Sequence, residues 1–343
     1  MPPTVSVVMP VYNVEAYVAE AIASVQAQTF QDFELIIVDD GGSDASVAIC
    51  RAMADSRTRI ISQRNRGLAG ARNTGIAAAR GTFVALIDSD DRWRPEKLER
   101  HVAHLHANPD LGASYAGSEL IGEDGSSLGV RQMPRAGAAT PERVFMGQAI
   151  QNGSAPVFRR RALEDAALHL LGEARRWYFD EALRRSEDVE CWTRVALTTN
   201  WRFAALPGVL TEYRVNGAGL SADVIRQLAS WDDMVGRVAA YAPEFIARHG
   251  REARARELRY LARRSFQVRD RGLALHLAWV AVRTSPGLLL AEPAKTLTTL
   301  AACALLRLLP ERRFSRLLAR LRPALAQVGA AQGGAIHDGR SPA

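Results

Sequence analysis

The chain has 343 residues, 48% hydrophobic and 24% charged, with a formal net charge of +7 carried almost wholly by arginine, since Lys97 and Lys295 are its two lysines. Such a composition forces no disorder, holds no apolar run of bilayer length, and leaves room for two domains or one large domain with an appendage. The basic surplus suits an anionic partner, whether a nucleotide diphosphate, an anionic lipid or a nucleic acid.

A continuous apolar run over residues 4–9 predicts a buried strand, closed by Pro10-Val11-Tyr12-Asn13. Asn13 is placed to cap a helix in which Tyr17, Val18, Ala21, Ile22 and Val25 recur at helical spacing. The opening residues are too short an apolar run for a signal peptide and lack a basic leader. A second strand over 33–38 ends in Asp39-Asp40-Gly41-Gly42-Ser43-Asp44, where the glycines permit a tight turn and Ser43 or Asp44 can cap the next helix. A short third strand spans 59–62. A basic, glycine-bearing loop over 63–73 then runs into an alanine-rich helix. The fourth strand, 82–87, stops in Asp88-Ser89-Asp90-Asp91, and Pro95 opens a helix to about 107. Strands alternating with helices at this spacing predict an α/β fold, a mostly parallel sheet with helices on both faces.

Beyond residue 111 the pattern loosens. Strands are expected over 113–121, 128–132, 201–206 and 209–213; a polar stretch and then residues 153–158 lead to a helix from about Arg160, and another helix begins near Glu187. From about 221 onward only arginine-studded amphipathic helix remains, broken by Pro243, Pro286, Pro293, Pro310 and Pro323, with a loose terminus. Cys50, Cys191 and Cys303 show no zinc or disulfide spacing, which points to a reducing compartment.

The chemistry concentrates at strand ends. Three carboxylates within four residues of a buried strand repel one another and resist desolvation unless a cation sits among them. If the segment stays extended, Asp88 and Asp90 share one side and Asp91 points away toward the next helix. Hard oxygen ligands suit Mn²⁺ or Mg²⁺ with positions left for substrate phosphates. Asp39 or Asp40 can meet a base or ribose, as single acids past strands do in doubly wound sheets. The loop over 64–73 offers positive charge and helix-start amides to a diphosphate, although it is neither a P-loop nor a dinucleotide fingerprint. Glu187 and Asp188 open a helix, where the dipole favours acids and where a fixed carboxylate can serve as general base. His101, His104 and His106 lack metal-site spacing and read as a solvated basic face.

In this order the motifs resemble those of family 2 glycosyltransferases, inverting enzymes of the GT-A fold. The matching residues are Val7 through Asn13, Glu34 through Asp40 with Gly42-Ser43-Asp44, Asn65 through Asn73, Asp88-Ser89-Asp90-Asp91, Glu187-Asp188 and the late Tyr213-Arg214 pair. The resemblance implies a nucleotide-sugar-binding half over 1–112, an acceptor-binding half over 113–220, a helical extension over 221–330 and a flexible tail over 331–343. It implies that Pro10, Val11 and Tyr12 line the nucleotide pocket and that Asp39 contacts the base, usually uracil. Arg72 would hold the diphosphate, Asp88 would contact ribose or sugar, and Asp90 would ligate Mn²⁺ or Mg²⁺. Asp188 would be the general base, with Glu187 beside it on the acceptor side. The implied activity is metal-dependent transfer of a sugar to an acceptor hydroxyl, in polysaccharide or glycolipid synthesis. The implied acceptor is a saccharide or a lipid-linked saccharide, reached from the cytoplasm with a peripheral membrane contact through the C-terminal helices. No nucleic acid is expected. Asp40-Gly41-Gly42-Ser43 replaces the family's commoner Asp-Gly-Ser, and residues 171–185 are longer and more basic than the family pattern. Two rivals remain: a nucleotidyltransferase, which needs a lysine near the phosphates, and a non-catalytic basic scaffold, which leaves the acidic cluster unexplained.

Overall fold

The structure, a computed structural model, describes residues 1–135, 137–169, 175–215, 224–310 and 313–314. The loose terminus, the tail over 331–343 and Pro323 therefore lie outside the described residues, as does the front of the 171–185 stretch. The chain forms two compact units, Met1–Gly250 and Arg251–Ala343.

The first unit opens with β1 (Val5–Val11), α1 (Val18–Gln26), β2 (Phe33–Asp39), α2 (Ser46–Met53), β3 (Thr58–Ser62), α3 (Gly67–Ala78) and β4 (Phe83–Leu86). Every residue of β1 and β4 is buried, so these strands read as unbroken apolar runs rather than alternating ones. The acidic turn then leads to β5 (Arg92–Trp93), α4 (Lys97–Ala107), β6 (Leu111–Ile121), β7 (Ser127–Gln132), β8 (Gly137–Ala139), α5 (Pro141–Phe145), β9 (Pro156–Arg159), α6 (Arg160–Asp165), α7 (Glu187–Thr198) and β10 (Arg202–Arg214). β5, β8 and α5 are too short to show a period in sequence. The two strands expected over 201–213 are one, bent by register shifts around Val209.

These strands make one sheet in the order β3-β2-β1-β4-β9-β6-β10-β5, with β7 on β6 and β8 on β10. β3, β2, β1 and β4 run parallel, β9 is antiparallel to both β4 and β6, and β10 is parallel to β6. Successive β1 residues face opposite ways. Val5, Val7, Met9 and Val11 pack with Val18, Ile22 and Val25 of α1 and Leu98 and Val102 of α4. Val8 packs with Ala69 and Ile76 of α3 and joins the core that includes Trp192 of α7. Gly75 lets α3 lie flat on the sheet, since a Cβ there would stand 2.3 Å from Val8 Cγ1.

Two local expectations change and one holds. Asn13 caps no helix: it sits at φ 51° and its Oδ1 accepts the Ser43 amide at 2.8 Å, tying the β1 tip to the loop after β2. Asp44 does act at the α2 start, accepting the Ser46 amide at 3.0 Å. The histidines do not form a solvated face, because His101 is fully buried, and Nδ1 of both His101 and His104 lies 2.8 Å from Ser114 Oγ.

α8 (Val224–Tyr241) also belongs to the first unit, which extends to Gly250. α9 (Pro243–Gln267) begins at one of the expected proline breaks, followed by α10 (Arg271–Thr284), α11 (Leu288–Ala291) and α12 (Pro293–Leu308). In the second unit Arg256 and Arg259 both pair with Glu292.

Candidate active site

The tips of β2, β1 and β4 lie side by side, because β1 pairs with both neighbours and Val11 stands opposite Asp39. This is the carboxyl edge of a parallel sheet, where open α/β folds bind ligands. Pro10 and Val11 are buried at that edge, whereas Tyr12 is 49% exposed and offers a ring there. Asp39 accepts the Gly41 amide at 3.0 Å and keeps part of its surface open. Asp40 is buried instead, and its Oδ1 takes Gln63 Nε2 at 2.7 Å and the Arg66 amide at 2.9 Å. Asp39 is thus the acid available to a ligand, and Asp40 holds the 63–66 loop.

The acidic cluster is a turn, not an extended strand: β4 stops at Leu86, and the Asp91 amide donates to the Asp88 carbonyl at 3.0 Å. Alternation therefore does not set where these carboxylates point. Asp91 does not point away to cap α4. It is fully buried, with Oδ2 accepting Ser154 Oγ–H at 2.5 Å and Oδ1 accepting the Arg214 amide at 2.8 Å. Burial, with Asp90 and Asp88 nearby, pushes its carboxyl well above the ordinary range. Beneath it the buried Lys97 donates to the Ala155 carbonyl at 2.8 Å and to Thr211 Oγ1 at 3.1 Å. Burial lowers this amine to about 7, against the pull of Asp91. The lysine is therefore structural, which removes it as the phosphate contact that a nucleotidyltransferase would need.

Arg72, one turn into α3 and 1% exposed, joins the two halves of the site. Its Nη2 donates to Asp88 Oδ1 at 2.7 Å and its Nη1 to Glu187 Oε1 at 2.8 Å. The charge lies under the site, bound to two carboxylates, rather than projecting at a diphosphate. Gly153 makes room for this pair, since a Cβ there would stand 2.4 Å from Arg72 Nη2 and 3.1 Å from Asp88 Oδ2. Ser186, at φ 59°, turns the chain sharply into α7, an uncommon conformation for a residue with a side chain. Glu187 is buried, and burial pushes its carboxyl up to about 7 against the pull of Arg72. Asp188 remains half-buried; burial raises its carboxyl too, again opposed by Arg72 and reinforced by Asp88.

Of the residues singled out from sequence, the structure brings Arg72, Asp88 and Glu187 into direct contact, with Asp90 and Asp188 next to them in the chain and Asp39, Pro10, Val11 and Tyr12 on adjacent strand tips. Gly153 and Ser154 are site residues with no sequence signal, and Arg214 is singled out in sequence only as part of the late Tyr213-Arg214 pair, with no role. Arg214 Nε donates to the Asp90 carbonyl at 2.7 Å, its Nη1 to the Glu123 carbonyl at 2.8 Å and its Nη2 to Glu20 at 2.9 Å, which pins the acidic turn. The Tyr213-Arg214 pair marks the position but not these contacts.

The carboxylates of the acidic turn are the donor type that a divalent ion takes. Among the described residues no group of three His, Cys, Asp or Glu side chains is poised to hold a metal. Asp91 is spent on Ser154 and Arg214, and Asp88 shares Arg72. The half-buried Asp90 carboxylate lies in the same turn, and such oxygen donors suit a hard ion that completes its shell with phosphate oxygens and water.

The description Glycosyl transferase family 2 matches residues 6–166. Succinoglycan biosynthesis protein ExoO of Rhizobium meliloti is 31% identical over 279 residues, covering 77% of this chain and 74% of that protein. UDP-Glc:alpha-D-GlcNAc-diphosphoundecaprenol beta-1,3-glucosyltransferase WfgD of Escherichia coli is 27% identical over 68% of this chain and 85% of its own length. Among solved structures, the mannosyltransferase PcManGT of Pyrobaculum calidifontis, in complex with GDP-Man and Mn²⁺, superposes with a TM-score of 0.56 at 21% identity over 90% of this chain and 88% of that one. TarS 1-349 of S. aureus with UDP-GlcNAc gives 0.54 at 21% identity over 96% and 88%.

Proposed function

The chain belongs to glycosyl transferase family 2, and from that premise we propose that it is an inverting enzyme moving a sugar from a UDP-sugar to an acceptor hydroxyl during cell-surface polysaccharide or glycolipid synthesis. The observation that carries the reading is the Arg72 bridge, which sets the strand-tip acids and the start of α7 around one buried cation. Pro10, Val11, Tyr12 and Asp39 form the base pocket, and Asp88 meets the ribose or sugar. Asp90 would hold Mn²⁺ or Mg²⁺, which when bound neutralises charge on the donor's diphosphate. Asp188 takes the proton of the acceptor hydroxyl. The oxygen then bonds to the anomeric carbon from the face opposite the diphosphate, and the departing bond's electron pair leaves on the phosphate, so configuration inverts. Arg72 holds positive charge beneath this developing anion without reorganising, and Glu187 fixes the guanidinium.

UDP is the proposed nucleotide because WfgD and the TarS complex are named for UDP-sugars, although PcManGT was solved with GDP-Man. The name of WfgD likewise makes a lipid-linked saccharide the proposed acceptor. Titration calorimetry with UDP and Mn²⁺ tests the site. Wild-type protein is expected to bind, and either Asp90→Asn or chelation of the metal is expected to weaken binding by about tenfold or more, ~1.4 kcal/mol. Equal metal-dependent binding by the variant would refute the assigned ligand. A panel of nucleotide sugars scored for slow donor hydrolysis tests the transfer itself.

The proposed place of action is the cytoplasmic membrane surface. No helix among the described residues is long and apolar enough to cross a bilayer. In the second unit, however, Trp279, Leu290, Leu297 and Leu308 are each more than half exposed, near Arg283, Lys295 and Arg307. Exposed leucine with flanking basic charge suits an anionic interface. The full chain is expected to sediment with anionic vesicles and not with neutral ones; equal recovery with both would remove the electrostatic part of the reading.

A further inference from the structure

Between the base pocket and α7 lies a polar junction that the mechanism above does not use. Its centre is Glu181, whose side chain is 10% exposed. Arg66 forks onto it, Nε to Oε2 at 3.1 Å and Nη2 to Oε1. Arg175 Nη1 donates to Oε1 at 2.7 Å, and Asn73 Nδ2 to the same oxygen at 2.9 Å. Each of these partners leads elsewhere. The Arg66 amide donates to Asp40, the residue after Asp39, and its Nη1 to Thr74 Oγ1 at 3.1 Å. Asn73 is buried and spends its whole amide on the same segment: Oδ1 accepts the Tyr178 and Phe179 amides at 2.9 and 2.8 Å, and Nδ2 also donates to the Phe179 carbonyl at 2.8 Å. Gly70 leaves space for the crossing, since a Cβ there would stand 2.4 Å from Arg66 Cβ and 3.4 Å from Glu181 Oε2.

We propose that Glu181 is a positioning residue that ties the loop holding the donor's base to the segment that delivers Glu187 and Asp188. The path is continuous: Asp40, Arg66, Glu181, then six residues to Glu187, whose carboxylate returns to α3 through Arg72. One helix thus carries both fastenings of the base-bearing segment, Asn73 and Arg72 being neighbours in sequence. The ionised Glu181 offers its oxygens to two guanidiniums and an amide at once, an arrangement a neutral side chain of the same shape cannot match. Loss of that charge frees the 175–186 segment, and a displacement of about 1 Å at a base is enough to slow transfer by up to about 100-fold. Donor contacts at the strand tips stay in place.

This inference rests on the transferase reading, so wild-type transfer is measured beside the variants. Glu181→Gln keeps the size and one hydrogen bond but loses the charge. Its kcat, counted per UDP-binding site by calorimetry, is expected to fall about 10-fold to 100-fold, with donor KM within about twofold of wild type. Glu181→Asp is expected to recover part of the loss. Arg66→Gln, which opens the junction from the donor side, is expected to show the same split and keeps the test alive should Glu181→Gln not fold. Unchanged kcat per UDP-binding site in either folded variant overturns the proposal while leaving the transferase reading intact. A wild-type protein that binds UDP but transfers no sugar overturns both.

Discussion

Asp188→Asn is expected to cut sugar transfer by roughly 10²–10⁴-fold, the usual worth of a general base, while UDP affinity stays near wild type. The asparagine keeps the volume and the hydrogen bond to the Val189 amide, at 2.8 Å in the wild type, but cannot accept a proton from an acceptor hydroxyl. Asp188 is the more open of the two acids at the α7 start, because Glu187 is buried and engaged by Arg72. Its environment also fits the task. Burial raises its carboxyl above an ordinary aspartate's value against the opposing pull of Arg72, which makes it a stronger base than a surface aspartate. A base acts deprotonated, so kcat/KM is expected to fall as the pH drops through that raised value, above where an ordinary aspartate would titrate. Steady-state rates at saturating donor, with calorimetry alongside, measure both effects. Transfer near the wild-type rate in a folded Asp188→Asn would move the base elsewhere.

The second large effect concerns stability. Arg72→Met is expected to cost about 3–5 kcal/mol, the usual penalty for removing one partner of a buried ion pair. Glu187, with 5% of its side chain exposed, would lose its cation outright, and Asp88 would lose its hydrogen bond from Nη2. The remaining acids repel each other, so protonation rather than ionisation becomes the cheaper state for Glu187. Adding Glu187→Gln to the same chain is expected to recover part of the loss, because a neutral pair of similar volume is tolerated where an orphaned charge is not. Urea melts of the three proteins read the differences directly. An Arg72→Met protein as stable as wild type would mean that the bridge contributes geometry but little energy.

Much of the fold over residues 1–107 is legible in sequence because its elements have strong local signatures. β1, β2 and β4 are buried on both faces and so appear as unbroken apolar runs, and the acids follow them at strand ends where few structural explanations compete. What failed was direction. Alternation along a strand does not extend into a turn, so Asp91 was read as pointing out when it is the most buried of the three. Arg72 was recognised as a site residue, yet its partners were not, since the Arg72–Glu187 contact spans 115 positions of chain and no local pattern encodes it. Ser154 has no sequence signal, and the Tyr213-Arg214 pair gives no role to Arg214, for the same reason. They act through backbone and carboxylate contacts that only the folded sheet brings together. The histidines misled by composition: three on one helix look solvated until Ser114 is seen to face two of them.

The antiparallel strand β9 has a consequence for how the molecule can be taken apart. It lies against β4 on one side and β6 on the other, so the segments before and after residue 112 share hydrogen bonds across a single continuous sheet. A fragment stopping near residue 112 would leave β4 with its amides and carbonyls bare, a template for sticking to other chains rather than a free-standing nucleotide-binding module. The polypeptide must be cut elsewhere to yield a piece that stays in solution.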